Sequence, residues 1–301
     1  EGDRIHGHIN QLRSEGGGTV TGRISMAHPN LQQIPARNPA MAAKVRGLFL
    51  PEEGEQWSSI DFDQQEPRIL VHFASLTNQG LTGAAEFVKA YRDDPSTDFH
   101  QMVADVAGIP RRQAKTLNLG IMYGMGQTKM ATQLDISIDE ARRLLRQYHE
   151  DVPFVKELMD VSQRHTAHPL KGGSVRSLLG RKCRFDLWEP VQFVSARAHP
   201  KEKAVLEYGD NIKRAYTYRS LNRLIQASAA DQTKAAMVAV NKEHDAVPLV
   251  QVHDELAFSV TSEEEARALC KTMEEAVELK VPTPCQISLG DTWGDLVKLD
   301  D

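Results

Sequence analysis

Two short apolar stretches, far apart in the chain, each carry an aspartate. Asp61 lies in the stretch over residues 58–62, and Asp254 interrupts the stretch over residues 249–258. An acid in a strand that is otherwise fit for burial is costly unless a cation or a hydrogen-bond donor compensates it. If the two acids share a metal, their strands belong to one sheet. The segment between the two strands is then an insertion.

The inserted segment has a mainly helical pattern. A helix is predicted from Gln65, and residues 83–165 are predicted to be mainly helical, with a capping box over residues 137–140. Residues 171–214 are rich in Gly and Pro and are predicted to be loops, and a long helix is predicted over about 220–243.

The two ends of the chain have different patterns. Residues 1–60 show little helical periodicity and many turn residues, which predicts a few short strands and ordered loops. At the other end, a second capping box at residues 262–265 predicts a helix to about residue 280, and a short strand follows near residues 286–289. The chain is therefore predicted to be α+β, with a discontinuous sheet-containing base and an inserted helical lobe.

The composition excludes several classes of protein. The chain has 301 residues, of which 41% are hydrophobic and 26% charged. No apolar run is long enough to span a bilayer, and no signal-peptide pattern precedes residue 20, so no membrane association is expected and a cytoplasmic location is predicted. The three cysteines form no CxxC or Cys/His pattern, which indicates reduced thiols rather than a zinc site or a disulfide scaffold.

Charge is unevenly distributed along the chain. The formal net charge is −5, but residues 101–200 carry 15 Lys and Arg against 10 Asp and Glu, while residues 255–301 carry 4 against 11. A polyanion is bound by local potential and not by the total charge, so a nucleic-acid partner remains compatible with the net negative charge.

One predicted helix has a surface suited to a nucleotide. Arg111, Lys115, Leu119 and Tyr123 are each four residues apart and so form a stripe along one face, cationic at one end and apolar and aromatic at the other. A nucleoside triphosphate has the same polarity, with phosphates at one end and a flat base at the other. Carboxylates for a divalent metal and cations for phosphates indicate phosphoryl transfer.

Four blocks of sequence carry a resemblance to a known family. Residues 111–124, RRQAKTLNLGIMYG, resemble motif B of the family A DNA polymerases, the bacterial polymerase I group with its phage and organellar relatives. Residues 61–68, DFDQQEPR, resemble motif A, and residues 252–255, VHDE, resemble motif C. Residues 21–35 contain TGRIS and PNLQQIP, which are similar to two further segments of that family. The blocks occur in the family's order.

The resemblance implies a right-hand polymerase fold. Residues 1–72 and 215–301 would form the palm, an antiparallel sheet with helices, and residues 73–214 would form the inserted, mainly helical fingers. The thumb and exonuclease domains of the family are expected to be absent from this chain and to belong to an upstream part of a longer polypeptide. The segment of about 185–214 is longer than in polymerase I, which favours a phage-like or viral member.

The resemblance also implies the chemistry. Two Mg²⁺ ions, for which Mn²⁺ would be a possible substitute, would be held by Asp61, Asp254 and the carbonyl of Phe62, with Glu255 as an auxiliary acid. Deoxynucleotides would be added to a primer 3′-hydroxyl with release of pyrophosphate, and Lys115 would be a proton donor to the pyrophosphate. Glu66 would exclude a ribose 2′-hydroxyl, and His100 would contact the incoming phosphates.

The remaining site residues follow from the same resemblance. The dNTP would be bound by Arg111, Lys115, Leu119, Tyr123, Glu66, His100 and Gln64. Primer–template DNA would be bound by Arg23, Asn30, Gln32, Arg37, Asn222, Gln226 and His253. Structural roles remain open for four of them: Glu66 as a first-turn acid, His100 as a capping or core histidine, and Asn222 and Gln226 as solvent-facing amides.

Leu119, Asp63, Gln65 and Tyr218 depart from the family pattern. Leu119 stands where the family usually has Phe or Tyr, which implies a weaker contact with the sugar and altered tolerance of dideoxynucleotides. Asp63 adds a carboxylate two residues from Asp61 and has no assigned role. Two other functions remain open: a single-subunit RNA polymerase or reverse transcriptase, and a non-catalytic module that binds nucleic acid. Template preference is not set by these residues.

Overall fold

The computed structural model describes residues 4–14, 17–36, 38–76, 80–168, 172–192 and 196–300. Its helices, in chain order, are α1 Pro39–Arg46, α2 Gln65–Ser75, α3 Ala84–Asp93, α4 Phe99–Ala107, α5 Arg111–Met122, α6 Gln127–Leu134, α7 Ile138–Asp151, α8 Pro153–Ala167, α9 Lys201–Tyr208, α10 Ser220–His244 and α11 Glu263–Glu275. Two short 3₁₀ helices cover Leu31–Gln33 and Thr217–Arg219.

The strands are shorter than most of the helices. They are β1 His8–Asn10, β2 Ser25–Ala27, β3 Gln56–Phe62, β4 Ser174–Arg176, β5 Lys182–Arg184, β6 Leu187–Pro190, β7 His199–Pro200, β8 Ile212–Arg214, β9 Val250–Val252, β10 Glu255–Val260, β11 Cys285–Gly290 and β12 Val297–Lys298. Within the described ranges, no helix has the length and apolar character needed to cross a bilayer.

The chain forms two compact units. The first combines Glu1–Arg68 with Ala229–Asp301, and the second is Ile69–Ser228. The boundaries fall within α2 and α10, whereas the sequence placed them at residues 72 and 214. The assignment of the first unit as palm and of the second unit as fingers stays a prediction.

The first unit is built on an antiparallel sheet with the strand order β12-β11-β3-β10-β9. The central strand, β3, pairs with β10 so that Asp61 lies opposite Glu255, and it pairs with β11 so that Asp61 lies opposite Gln286. The prediction that the two apolar stretches share one sheet is therefore confirmed. The predicted α+β class with an antiparallel sheet is confirmed as well.

Side-chain alternation gives this sheet two different faces. Ile60 and Phe62 point to one face, where they pack with the same-face residues of β10 and β11 and with apolar residues of α10 and α11. Both are almost fully buried, and each contributes about 1.5–3 kcal/mol of hydrophobic free energy. Trp57 belongs to the opposite face and stacks on Trp293 with ring centroids 5.5 Å apart. This second face is the one that carries Asp61.

The second unit is mainly helical. Helices α3, α4 and α8 meet at three phenylalanines. The ring centroid of Phe87 lies 5.4 Å from that of Phe99 and 5.1 Å from that of Phe154. Its strands form two small antiparallel sheets, β4-β5 and β7-β6-β8. The capping box predicted for α7 is confirmed, because Ser137 and Glu140 exchange side-chain and backbone hydrogen bonds.

Three details of the predicted secondary structure are wrong. Helix α1 lies in a segment predicted as loops; Asn38 caps it by accepting from the Met41 amide at 3.2 Å, and a proline occupies its first position. Helix α9 and strands β4 to β8 lie in the predicted loop segment 171–214. Helix α11 ends at Glu275 rather than near residue 280, because the chain turns back and Thr283 Oγ1 donates to the Glu274 carbonyl at 3.1 Å.

Candidate functional site

Four acids gather where strand β3 ends and strand β10 begins, a group here called the carboxylate edge: Asp61, Asp63, Asp254 and Glu255. Asp61 lies near the end of β3, directly opposite Glu255 at the start of β10. Asp254 lies in the turn between β9 and β10, and its carbonyl accepts from the Phe62 amide at 3.5 Å. Strand pairing and a tight turn therefore bring these acids together from distant parts of the chain.

The pKa values of Asp61 and Asp254 are raised above their ordinary value. Partial withdrawal from water raises the pKa of Asp61 to about 8, and the negative charges of Asp254, Glu255 and Asp63 add to the effect. Withdrawal from water also raises the pKa of Asp254, against the opposing influence of its own backbone amide and of Arg23 and His253. Like charges in this position favour a bound cation, and carboxylate oxygens are the donors that hard divalent ions take. The donor set therefore fits such an ion.

Two neighbours of Asp61 are fixed in ways that limit their roles. Ser59 Oγ donates to Glu255 Oε1 at 2.5 Å, so the Glu255 carboxylate is oriented along β3. Phe62 is 2% exposed and belongs to the apolar core. The auxiliary role expected for Glu255 and the carbonyl-ligand role expected for Phe62 stay predictions.

Asp63 has a structural partner that the sequence did not reveal. The Arg68 side chain is fully buried and donates to Asp63 Oδ2 and to the Asp63 carbonyl, both at 2.8 Å, and to the Pro282 carbonyl at 3.0 Å. Gln64 Nε2 also donates to Asp63 Oδ2 at 3.0 Å. Asp63 and Arg68 thus fix the turn between β3 and α2. The structure places Gln64, expected to contact the nucleotide, in this same turn.

Arg23 and Glu66 form an ion pair with each other. The sequence assigned them to different ligands, Arg23 to primer–template and Glu66 to the nucleotide. Glu66 lies in the first turn of α2 and is buried, with a side chain 10% exposed, so it is not a solvent-facing helix-end acid. The positive charge of Arg23 also acts on Asp254. The structure therefore places both residues beside the carboxylate edge.

The other expected DNA contacts of the first unit are partly engaged in local structure. Asn30 Oδ1 accepts from the Gln32 amide at 3.1 Å and caps the first 3₁₀ helix. Gln32 Nε2 donates to Gln251 Oε1 at 2.9 Å, which ties it to β9. His253 is exposed in the turn that holds Asp254, with a φ of 60°. Arg37 lies outside the described residues.

In the second unit, the stripe on α5 has the expected orientation. Arg111, Lys115 and Tyr123 are exposed and Leu119 is half-buried, while Ala114, Leu117 and Ile121 on the other side of the helix are buried.

The cationic end of the stripe is anchored to α4 through Arg111, whose Nε donates to Asp98 Oδ2 at 2.7 Å. Burial raises the pKa of Asp98, but hydrogen bonds from Arg111 and from the Gln101 and His100 amides outweigh this effect. The pKa therefore lies below its ordinary value.

His100 lies at the end of a buried chain of hydrogen bonds. Tyr148 Oη donates to Asn118 Oδ1 at 2.7 Å, and Asn118 Nδ2 faces His100 Nδ1 at 2.9 Å. Because an amide nitrogen only donates, Nδ1 accepts and the ring proton resides on Nε2. Burial lowers the pKa of His100 to about 4; the charges of Lys115 and Arg111 act in the same direction and Asp98 opposes them. The neutral ring therefore has an N–H group to donate.

Asn222 and Gln226 are half-buried and lie four residues apart on α10, in the part of that helix that belongs to the second unit. The expected site residues thus form two groups, one in each unit. The sequence missed Ser59, Arg68, Asn118 and Tyr148. Arg68 lies within the block that resembles motif A, and Asn118 lies within the block that resembles motif B. Their location in these blocks is the sequence feature that could have identified them.

Comparison with known proteins identifies the family. The family model for DNA polymerase family A matches residues 1–295. The chain belongs to DNA polymerase family A. Among curated proteins, it is 37% identical to a DNA-directed DNA polymerase of Pseudomonas phage M6, over 97% of this chain and 47% of that protein. It is 33% identical to DNA polymerase I of Treponema pallidum (strain Nichols), over 97% of this chain and 27% of that protein.

A solved structure agrees with the family assignment. The chain is similar to the POL domain of Pol1 from M. smegmatis, which was determined in complex with DNA primer-template and dNTP, with a TM-score of 0.75 and 29% identity. The match covers 97% of this chain and 48% of that one. The chain therefore spans about half, or less, of the length of the relatives it matches, and both phage and bacterial polymerases are among them.

Proposed function

We propose that this chain carries out template-directed DNA synthesis, adding deoxynucleotides to a primer 3′-hydroxyl and releasing pyrophosphate. The observation that carries the proposal is the carboxylate edge. Asp61 lies opposite Glu255 in the strand register, and Asp254 lies in the adjoining turn. In a chain of DNA polymerase family A, acids in this arrangement support metal-dependent nucleotidyl transfer. Primer–template DNA and dNTPs are the proposed partners.

We infer that the metal is Mg²⁺, two ions in all, and that Mn²⁺ can replace it. Asp61, Asp254 and the Phe62 carbonyl would hold the ions, with Glu255 as the auxiliary acid that Ser59 orients. When bound, the ions would make the primer hydroxyl a better nucleophile and neutralise charge on the leaving phosphates. Support comes from Asp61, whose ionisation is made unfavourable by burial and by the negative charges of its acidic neighbours.

The second unit supplies the proposed phosphate contacts. Arg111, Lys115 and the Nε2–H group of His100 would bind the triphosphate, and Lys115 would donate a proton to pyrophosphate. Leu119 and Tyr123 would contact the sugar and the base pair. In this proposal the first unit is the palm and the second unit is the fingers, which the similarity to the M. smegmatis domain supports.

Contacts to primer–template are proposed for residues of both units. They are Arg23, Asn30, Gln32, Arg37, Asn222, Gln226 and His253. Glu66 would select against ribonucleotides, and its burial beside Arg23 supports a fixed position for its carboxylate. The minor groove presents acceptors shared by all base pairs, which amide and guanidinium groups can contact without reading sequence.

A primer-extension experiment separates this function from the alternatives. Wild-type protein and Asp254→Ala are each given a labelled primer on a DNA or an RNA template, with dNTPs or rNTPs. We expect extension by the wild type with dNTPs on DNA and none by Asp254→Ala. Extension with rNTPs alone would indicate an RNA polymerase, and extension on RNA alone a reverse transcriptase. A primer–template mobility shift without extension would indicate a binding module.

A further inference from the structure

Two of the three cysteines meet in the first unit, together with a glutamate. Cys270 and Glu274 lie one turn apart on α11, and Cys285 is the first residue of β11. The two sulfur atoms and a carboxylate oxygen all lie within 4.8 Å of one another. Cys270 Sγ is 3.8 Å from Glu274 Oε1. Cys270 and Cys285 are 15 positions apart in the chain, so no short sequence motif indicates this cluster.

The geometry points to a binding site for a thiophilic divalent cation, Zn²⁺ or a similar ion, held by Cys270, Glu274 and Cys285. The preferred zinc donors are thiolates, imidazoles and carboxylates in a tetrahedron. Zn–S bonds of about 2.3 Å place two coordinating sulfurs about 3.8 Å apart, so the three groups need move only by about an ångström to close on an ion. The inference concerns a part of the molecule that the polymerase reaction does not use.

The cluster is held in place by the surrounding structure. Cys270 is 7% exposed and packs in the apolar core with residues of α10, β10 and β11. Glu274 Oε1 accepts from the Cys285 amide at 2.6 Å, which orients the carboxylate toward the start of β11. Orientation of a ligand by a backbone hydrogen bond is typical of metal sites. The helix and the strand therefore present their donors from fixed positions.

Room for a fourth ligand lies beside the cluster. A cavity of about 260 Å³ is lined by the three donors and by Arg267, Lys271 and Gln286, among others. The positive charges of Arg267 and Lys271 are balanced by acids on the same helix. Arg267 Nε donates to Glu263 Oε1 at 2.8 Å, and Lys271 Nζ lies 4.0 Å from Glu275 Oε1. A water molecule in the cavity can complete a four-coordinate site.

Occupation of this site would stabilise the sheet that carries the carboxylate edge. Cys285 lies opposite Phe62, and its neighbour Gln286 lies opposite Asp61, in the pairing of β11 with β3. An ion that joins α11 to β11 therefore fixes the strand next to Asp61. Binding forms two metal–sulfur bonds, and the two thiol protons pass to the buffer, so affinity rises with pH.

Titration with Co²⁺, followed by displacement with Zn²⁺, tests the site directly. The full chain is kept reduced with a phosphine, and absorption is recorded in the visible and near-ultraviolet regions. We expect one equivalent of Co²⁺ to give tetrahedral d–d bands and a thiolate-to-metal charge-transfer band, and Zn²⁺ to remove both. Cys270→Ser and Cys285→Ser should lose the charge-transfer intensity. Cys183→Ser, a matched change at a buried cysteine of the second unit, should keep it.

Two further variants separate this site from other causes of signal. Asp254→Ala should leave the bands unchanged, because the carboxylate edge contains no sulfur. Glu274→Gln keeps an acceptor for the Cys285 amide and should weaken Co²⁺ binding about tenfold or more without loss of fold. Zn²⁺ should also protect Cys270 and Cys285, but not Cys183, from alkylation. Absence of charge-transfer bands at one equivalent, or equal bands in Cys270→Ser, would overturn the inference.

Discussion

The fold of the second unit keeps the His100 side chain neutral. Lowering the pH should therefore reduce the free energy of unfolding of that unit, because His100 is protonated more readily in the unfolded chain. Burial is the main cause of its low pKa of about 4, and Lys115 and Arg111 add to it, while Asp98 alone opposes them. In the unfolded chain the same side chain has an ordinary pKa of 6.5. Between these two values the unfolded chain binds a proton that the folded chain does not.

The sign and size of the effect follow from this difference. Where the unfolded state binds more protons, the free energy of unfolding falls as the pH falls, so stability is lost from about pH 6.5 down to about pH 4. Each pH unit in this window costs about 1.4 kcal/mol, which gives a total of about 3 kcal/mol. The residue is 6% exposed, so solvent screening reduces this value little. Below pH 4 the folded chain binds the proton too, and the loss from this group stops.

Two measurements check this expectation. An NMR titration of ¹⁵N-histidine-labelled protein, assigned by the signal that His100→Gln removes, should show a midpoint near pH 4. Urea unfolding of wild type and His100→Gln at pH 7, 5.5 and 4 should show the wild type losing about 3 kcal/mol more than the variant. His149, whose pKa is also lowered by burial, is present in both proteins and cancels. A midpoint near 6.5, or parallel pH dependence of the two proteins, would refute the reasoning.

The same spectra test the hydrogen-bond chain behind His100. Tyr148→Phe keeps the ring in the core but removes the hydroxyl that orients the Asn118 amide. We expect the wild type to show the Nε2–H tautomer alone and the variant to show a mixture of tautomers. Loss of one buried hydrogen bond should cost about 1–2 kcal/mol of stability. An unchanged tautomer in the variant would show that Asn118 does not depend on Tyr148.

Two further substitutions test individual contacts. Arg68→Met should lower the free energy of unfolding by about 2–4 kcal/mol, because three acceptors lose a buried donor, whereas Asp63→Asn, at a side chain 42% exposed, should cost under about 1 kcal/mol. Equal losses in urea unfolding would contradict this role for Arg68. Leu119→Phe should change the ratio of kcat/KM for dideoxynucleotides and deoxynucleotides by about 2–10-fold through an added aromatic contact. Unchanged steady-state kinetics would remove Leu119 from the sugar site.

Patterns that are local in the sequence were enough to predict much of this molecule. An acid in an apolar run marked both Asp61 and Asp254, and the register of β3 with β10 confirms that their strands pair. The spacing of four between Arg111 and Lys115 predicted their shared exposed face on α5. The capping box at Ser137 located the start of α7 correctly.

Contacts between distant residues could not be predicted in this way. The pairing of Arg23 with Glu66 depends on how the chain folds back beside α2. The cluster of Cys270 and Cys285 requires a helix and a strand to meet, and no spacing rule describes such a meeting. Helix α9 was not predicted because it has only eight residues and lies in a segment rich in Gly and Pro, which are typical of loops.

Single-nucleotide incorporation in the presence of Mg²⁺ tests the central claim most directly, with Asp254→Asn compared with Asp63→Asn. Each variant removes one negative charge from the carboxylate edge, but Asp254 is the proposed metal ligand while Asp63 is paired with Arg68. We expect Asp254→Asn to lose on the order of 10³-fold in rate, since a metal ion stabilises the transition state by several kcal/mol. Asp63→Asn should stay within about tenfold of the wild type. Equal losses in the two variants, or full activity in Asp254→Asn, would contradict the assignment of Asp254 to metal-dependent DNA synthesis.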